Sequence, residues 1–399
     1  MGRPKFRLMS SIYLDWNATA PLSVAARAAW LVAQDEAWAN PGSVHDFGQR
    51  ARHGIDQAKA MCARLLGAKP SEIIVTSGGT EANVLAIHTA VTEFTARNVD
   101  SAQAPNGNRA TILASAIDHS SILRNAEAHG NVVRLPVDQE GRLHPDVVRK
   151  ALEELPQQPA LVCLQFANNE LGVRQDIAAL VPVIRALAPQ TRVLLDCAQG
   201  AGKARMDLHA LDVDFASIAG HKIGSPKGIG LLYAKNGARI SPLFTGGRQQ
   251  QDRRSGTEDT AGIASLAAAL TEALSHVDEE DLRQRLLLES TFARIAKDLP
   301  QVKWIGHAAE RMPNTMSLTH PGFANESLLM RLDLAGIAVS TGSACMAARG
   351  DPSHVIAALG LDPTLVRGVI RVSIGPSTTA ADMDTFAATY VREVRALAK

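Results

Sequence analysis

Cysteine is scarce in this chain. Its 399 residues hold only Cys62, Cys163, Cys197 and Cys345, with no C-x-x-C pair. That spacing excludes a disulfide framework and a zinc ribbon. An excess of one charge is missing too: 41 Lys+Arg stand against 40 Asp+Glu, a net charge of +1. Binders of nucleic acid or anionic membranes usually carry a basic excess, so neither is expected as a direct partner. No apolar run approaches the roughly 20 residues of a bilayer span, which predicts a soluble protein. The opening MGRPKFRLMSS is basic but has no apolar h-region, so the cytoplasm is the expected location. Met9 is an alternative start, because patterned sequence begins at SIYLDWNATAP. Internal repeats are absent as well.

What is present is a generous apolar fraction, 46% with 20% charged. That composition excludes general disorder. At ~100–200 residues per domain the length allows two domains. Short apolar runs recur at 73–76 (IIVT), 111–114, 131–135, 161–165, 192–196 (RVLLD), 213–218 (VDFASI) and 229–233. Helical patterns lie between several of them, at 80–95, 120–129, 145–154 and 176–188. This alternation predicts an α/β fold with a mainly parallel seven-stranded sheet, and the unbroken apolar runs predict burial on both faces. NVDSAQAPNGNR, residues 98–109, reads as a surface loop. Near Thr260 the rhythm changes. One long helix (about 260–297) leads to strands at 301–305, 315–319 and 368–374 and helices near 325–335, 352–359 and 379–397. The expected division is a large domain over 24–265 and a smaller α+β domain built from 1–23 and 266–399.

Ligands of open α/β sheets bind at the carboxyl ends of the strands, so chemistry is sought there. Lys222 follows VDFASI in AGHKIGSPKGIG. Of eleven lysines it is the one beside a histidine in a loop of small residues. Read alone it is a surface lysine; in this place it can hold a Schiff base or a phosphate. Asp196 ends RVLLD, and a carboxylate buried there needs a partner, either a helix N-terminus or a protonated ring nitrogen. Asp196 and Gln199 with Lys222, one strand further on, have the spacing of a pyridoxal 5'-phosphate site, in which the carboxylate keeps the ring nitrogen protonated and Gln199 reaches the ring hydroxyl. IIVT enters SGGTEAN and then a helix. Gly79 permits close approach, and Thr80 lies at a helix N-terminus suited to a phosphate. His119, in AIDHSSIL, projects from the same edge, where an imidazole can stack on a ring and move protons. Cys345 lies in TGSACMAARGDPSHV among small residues, bracketed by Gly342, Gly350 and Pro352. That setting suits a nucleophile better than the apolar surroundings of Cys163 and Cys197.

Taken together, IYLDWNATAP, ANPGSVHDFG, TSGGTEANVLAI, NNELGV, LLDCAQG, GHKIGSPKGIG, RRSGTED, STGSACMA and IRVSIG resemble, in order, the cysteine desulfurases of the NifS/IscS type. These are class V members of the fold-type I PLP-dependent transferases. The resemblance covers residues 12 to 375. It implies that Lys222 carries the Schiff base, that Asp196 holds the pyridine nitrogen, Gln199 the ring oxygen, and that His119 stacks on the ring. It further implies Gly79, Thr80 and His221 at the phosphate, with Thr257 reaching the phosphate of the neighbouring subunit in a homodimer. Asn168 and Arg371 would hold the substrate carboxylate, the arginine as a bidentate fork. Cys345 would be the catalytic nucleophile that carries the persulfide, and at most a transient Fe–S ligand. The length of its loop resembles the longer-looped of two desulfurase groups.

The sequence departs from the family at a few positions. Ala219 stands where a hydroxyl residue is usual, and Ser217 is expected on the opposite face of its strand, unable to replace it. Trp16 and Ala20 replace more usual residues, as do Arg248 and Gln250, the latter in place of an acid. The expected activity is conversion of L-cysteine to L-alanine, with the sulfur passed to an Fe–S scaffold or another persulfide-acceptor protein such as a tRNA-thiolation relay. Two alternatives remain open here: a selenocysteine lyase or other class V enzyme, and a desulfurase-like binding subunit.

Overall fold

The computed structural model describes residues 12–98, 109–322, 324–342 and 353–397. Cys345 and almost all of the 98–109 loop lie outside them. Seven strands form one sheet: β2 (Ile73–Thr76), β3 (Thr111–Ser115), β4 (Asn131–Leu135), β5 (Leu161–Gln165), β6 (Arg192–Asp196), β7 (Phe215–Ala219) and β8 (Gly230–Ala234). The order across the sheet is β2-β8-β7-β6-β5-β3-β4. Only β8 is reversed, pairing antiparallel with both β2 and β7. The carboxyl ends of the other six therefore share one edge. Strands β2, β5, β7 and β8 are buried at every residue, as expected of a sheet covered on both faces.

Helices α3 (Gly79–Arg97), α4 (Ser120–His129), α5 (Pro145–Glu154) and α6 (Ile177–Leu187) follow their strands as expected. Two more precede the sheet, α1 (Val24–Glu36) and α2 (Asp46–Leu65), and the sequence pattern did not disclose them. Both pack against α7 (Thr260–Ser275). The helix expected over 260–297 is two: the chain leaves helical geometry at His276 (φ −118°, ψ 9°) and resumes as α8 (Val277–Asp298). Leu266, Leu270, Leu274 and Val277 belong to the core of the large sheet, whereas Leu288 and Ile295 belong to a second core. The hand-over between the two cores falls at this break.

The second core surrounds a three-stranded antiparallel sheet of β9 (Lys303–Ile305), β10 (Thr315–Thr319) and β12 (Ile370–Ser373), in the order β12-β10-β9. Between β10 and β12 lie α9 (Asn325–Leu334), β11 (Ile337–Ala338) and the short α10 (His354–Ala358) and α11 (Pro363–Val366), and α12 (Ala380–Leu397) closes the chain. The two-residue strand β1 (Ile12–Tyr13) pairs with β11, and Leu14 joins this core.

Gln250 explains one departure from the family pattern. Its buried side-chain amide accepts from Val75 N at 2.7 Å and donates to Val75 O at 2.8 Å. It therefore completes the outer edge of β2 as a neighbouring strand would. A carboxylate can accept there but cannot donate. Gln250→Glu should cost about 1–3 kcal/mol, read as a lower midpoint in denaturant with an unchanged slope.

Candidate active site

Several candidate side chains are delivered at or just after strand ends on the shared edge. Asp196 is the last residue of β6 and is buried. Its Oδ1 accepts from Ala198 N at 2.9 Å and its Oδ2 from Asn83 Nδ2, on α3, at 3.1 Å. Lys222 ends a single 3₁₀ turn, Gly220–Lys222, that directly follows β7. Its amine donates to the backbone oxygens of Asn17 and Ala18, the latter at 3.0 Å. Burial, reinforced by the charge of Arg371, pushes its pKa down to about 8. A lysine so tuned is partly neutral near physiological pH and able to act as a nucleophile or base.

His119 is the N-cap of α4, where its Nδ1 accepts from Ser121 N at 3.1 Å. A backbone N–H can only donate, so the ring proton of neutral His119 sits on Nε2. Ser121 Oγ lies 2.8 Å from the same Nδ1 and accepts from Asn83 Nδ2 at 3.0 Å. A chain His119–Ser121–Asn83–Asp196 therefore links the start of α4, helix α3 and the end of β6. Enclosure by the protein lowers the His119 pKa, Lys222 and His354 act in the same direction, and Asp196 opposes them.

The phosphate-side residues come from β2 and β7. Helix α3 starts at Gly79 behind Gly78, and no side chain caps it. Gly78 has φ 153°, a conformation that side chains disfavour. The loop lies so close to β8 that a Cβ on Gly230 would come within 2.6 Å of Gly78 Cα. A Cβ on Gly79 would sit 3.3 Å from that of Ala219. Thr80, in the first turn of α3, is exposed. His221 Nδ1 lies 3.2 Å from Thr19 Oγ1, and burial with the charges of Lys222, Lys227 and Lys203 pushes its pKa down to about 4. Strand β7 runs through Ala219, and residues two apart on a strand share a face. Ser217 therefore points the same way as Ala219, contrary to expectation; its hydroxyl is fully buried and has no hydrogen-bond partner.

From β12, Arg371 enters the same space. It pairs with Asp15 and donates to Asn169 O at 3.0 Å and Gly342 O at 3.3 Å, while its buried Nε has no partner. Asn168 is engaged throughout: Nδ2 donates to Ile117 O and Gln165 Oε1, and Oδ1 accepts from Glu170 N and Leu171 N. Contact with a substrate would have to exchange one of these bonds. Gln199 is buried and donates from Nε2 to Asn17 O at 3.1 Å. Thr257 stands apart, exposed on the loop that lines a surface hollow with Phe244, Gly247 and Arg254. Cys345 lies outside the described residues, but both roots of its segment reach this site. Gly342 O is held by Arg371, and Ser353 Oγ donates to Glu170 Oε2 at 2.6 Å. Sequence reasoning overlooked Asn17, Asn83, Ser121, Glu170 and Lys203, polar residues whose types differ in no way from surface ones.

The donor set fits pyridoxal phosphate. An uncapped helix N-terminus with a glycine cradle suits a phosphate. A depressed lysine suits a carbonyl, a buried carboxylate on the same edge suits a ring nitrogen, and a buried arginine N–H without a partner suits a substrate carboxylate. Among the described residues, no group of three or more His, Cys, Asp or Glu could hold a metal ion. None of their helices is long and apolar enough to cross a membrane.

The model of the aminotransferase class-V family matches residues 12–386. The chain belongs to that family, whose enzymes use pyridoxal phosphate. Within it, cysteine desulfurases named IscS are close relatives. The one from Dictyoglomus turgidum is 35% identical over 377 residues, covering 94% of this chain and 92% of the relative. That of Methanosarcina thermophila is 34% identical over 378 residues, covering 94% and 89%. Among solved structures, a NifS-like protein superimposes with a TM-score of 0.86 at 28% identity, covering 97% of this chain and all of the other. A NifS-like protein from Rickettsia africae gives 0.83 at 28% identity, covering 96% and 99%.

A pKa of about 8 for Lys222 sets a pH dependence. Only the neutral amine attacks a carbonyl, so cofactor uptake by the apoprotein should rise about tenfold per pH unit below pH 8 and level off above it. Stopped-flow absorbance across pH 6 to 9 measures this; a rate flat from pH 6 upward would contradict the depressed amine.

Proposed function

We propose that the protein is a pyridoxal-phosphate-dependent cysteine desulfurase that converts L-cysteine to L-alanine and carries the released sulfur as a persulfide on Cys345. The observation that carries the reading is the meeting, on one sheet edge, of the depressed Lys222 amine, the buried Asp196 and the uncapped start of α3. When bound, pyridoxal phosphate supplies an electron sink conjugated to the substrate Cα. Lys222 would bind its carbonyl carbon, Asp196 its ring nitrogen and Gln199 its ring oxygen. Gly79, Thr80 and His221 would hold its phosphate, Thr257 the phosphate of a neighbouring subunit in a homodimer, and His119 its ring face.

The chain's own residues divide the work that follows. Arg371 and Asn168 orient the substrate carboxylate. The Lys222 amine, whose pKa near neutrality suits the task, would take the Cα proton and give a proton back to Cα as alanine forms. His119 presents Nε2–H toward the substrate sulfur. The Cys345 thiolate attacks that sulfur; an S–S bond forms, the Cβ–S bond breaks, and its electron pair stays on Cβ, which is protonated and leaves in alanine. The other cysteines are poorly suited. Cys62, Cys163 and Cys197 are buried, and burial pushes the thiol pKa to about 12 in Cys62 and well above the ordinary value in the other two. The persulfide then passes to an Fe–S scaffold or another acceptor protein, and the expected setting is the cytoplasm.

Two variants test the division. Lys222→Ala should lose the covalent cofactor link and all turnover. Cys345→Ser should keep the yellow cofactor and its spectral response to L-cysteine, while sulfide release falls by orders of magnitude. A colourless, cofactor-free wild type that still makes sulfide would sink the assignment, as would full turnover in Cys345→Ser.

A further inference from the structure

Lys203 takes no part in the chemistry above, yet its amine lies inside the site. It donates to Gln199 Oε1 at 2.7 Å and to Asn17 Oδ1 at 3.1 Å. No carboxylate of the described residues pairs with it. Burial and the charges of Lys222 and Arg371 push its pKa down to about 7, so its charge is held at a cost in stability. Lys203 follows Gln199 by four residues through a tight turn in which Lys203 N donates to Gly200 O and Ala201 N to Cys197 O, with Gly202 at φ 73°. The 2.7 Å bond between the two side chains sets them side by side.

The bonding fixes the orientation of the Gln199 amide. A carbonyl oxygen only accepts, so the contact with Asn17 O must come from Nε2. Oε1 then faces Lys203, which has an N–H to give whether charged or neutral. The second N–H of Nε2 is left over among the described contacts. Asn17 is locked in turn. Its Oδ1 also accepts from Asn314 Nδ2 at 3.0 Å, its Nδ2 donates to Thr315 Oγ1 at 2.8 Å, and its N donates to Ser373 Oγ at 3.0 Å. Asn314 directly precedes β10, Thr315 opens it, and Ser373 ends β12. One chain of hydrogen bonds therefore runs from the small sheet through Asn17 and Lys203 to Gln199.

We propose that Lys203 is a positioning residue that holds the NH₂ of Gln199 toward the ring oxygen of the cofactor and places a positive charge behind it. The inference rests on the pyridoxal phosphate reading above. Its physical consequence is spectroscopic. A cation beside a titrating group disfavours the protonated, more positive form, so removing it should raise the pH midpoint of the bound cofactor's visible band.

The test is a spectral pH titration of the loaded wild type, Lys203→Met, Lys203→Gln and Lys203→Arg, with bound pyridoxal phosphate counted per chain. The midpoint should rise by about one pH unit in Lys203→Met and by less in Lys203→Gln, which keeps a donor. Lys203→Arg, which keeps donor and charge, should restore it; a cavity of about 430 Å³ lined by Lys203, Gly202 and Ala273 leaves room for the larger head group. Loaded Lys203→Met or Lys203→Gln with an unchanged midpoint overturns the proposal. Failure of both to fold also overturns it, since Lys203 is then a stability residue. A wild type with no visible band instead defeats the pyridoxal phosphate reading itself.

Discussion

Two backbone carbonyls, those of Asn17 and Ala18, hold the amine of Lys222, and no carboxylate of the described residues pairs with it. Burying a cation so is costly, and the cost appears as a depressed pKa. Much of the architecture serves this constraint. Strand β7 must end at Ala219 so that one tight turn brings the amine back over the sheet edge. The segment at Asn17–Ala18 must cross that edge to supply the carbonyls, which ties β1 and the small sheet to the same place. Charges that Lys222 lacks as direct partners are arranged around it: Asp196 and Asp15 favour its protonated form, and Arg371 opposes them.

The small sheet is thereby part of the site and not an appendage. Arg371 reaches in from β12, docks on Asn169 O and grips Gly342 O, while Glu170 grips Ser353. The described residues on either side of the segment that carries Cys345 are thus held by Arg371 and Glu170. Glu170 is deeply buried, and burial raises its pKa against the opposing effects of Ser353, Arg371 and His354. Under the proposed function, strand ends of the large sheet would hold the cofactor groups, and the small sheet would bring the substrate clamp.

Much of this was legible in the sequence where one physical rule dominates. Strands covered on both faces read as unbroken apolar runs, so β2, β5 and β6 matched residue for residue, as did the edge strand β4, and β3, β7 and β8 matched to within two residues. Lys222, Asp196, Gly79 and His119 stood out as candidates because strand ends of one sheet share an edge. Where two influences compete, the reading failed. Helix α1 leaves Leu31 and Val32 exposed, which blurs its periodicity, and α2 carries Gly48 and Gly54 in its interior. The break at His276 has no proline or glycine to announce it. Asn17, Asn83 and Lys203 are ordinary polar residues in sequence, and only their long-range hydrogen bonds make them part of the site. Ser217 was misjudged by one strand period. Thr257 rests on resemblance, since a single chain leaves it exposed.

The central claim is that the sulfur of L-cysteine comes to rest on Cys345, because the other three thiols are buried and held protonated. Brief exposure of the loaded protein to L-cysteine, trapping with an alkylating reagent and peptide mass mapping tests it most directly. The account predicts one added sulfur atom on the peptide containing Cys345 and none on the peptides of Cys62, Cys163 and Cys197. Added sulfur on any of those three, with Cys345 unmodified, would contradict it.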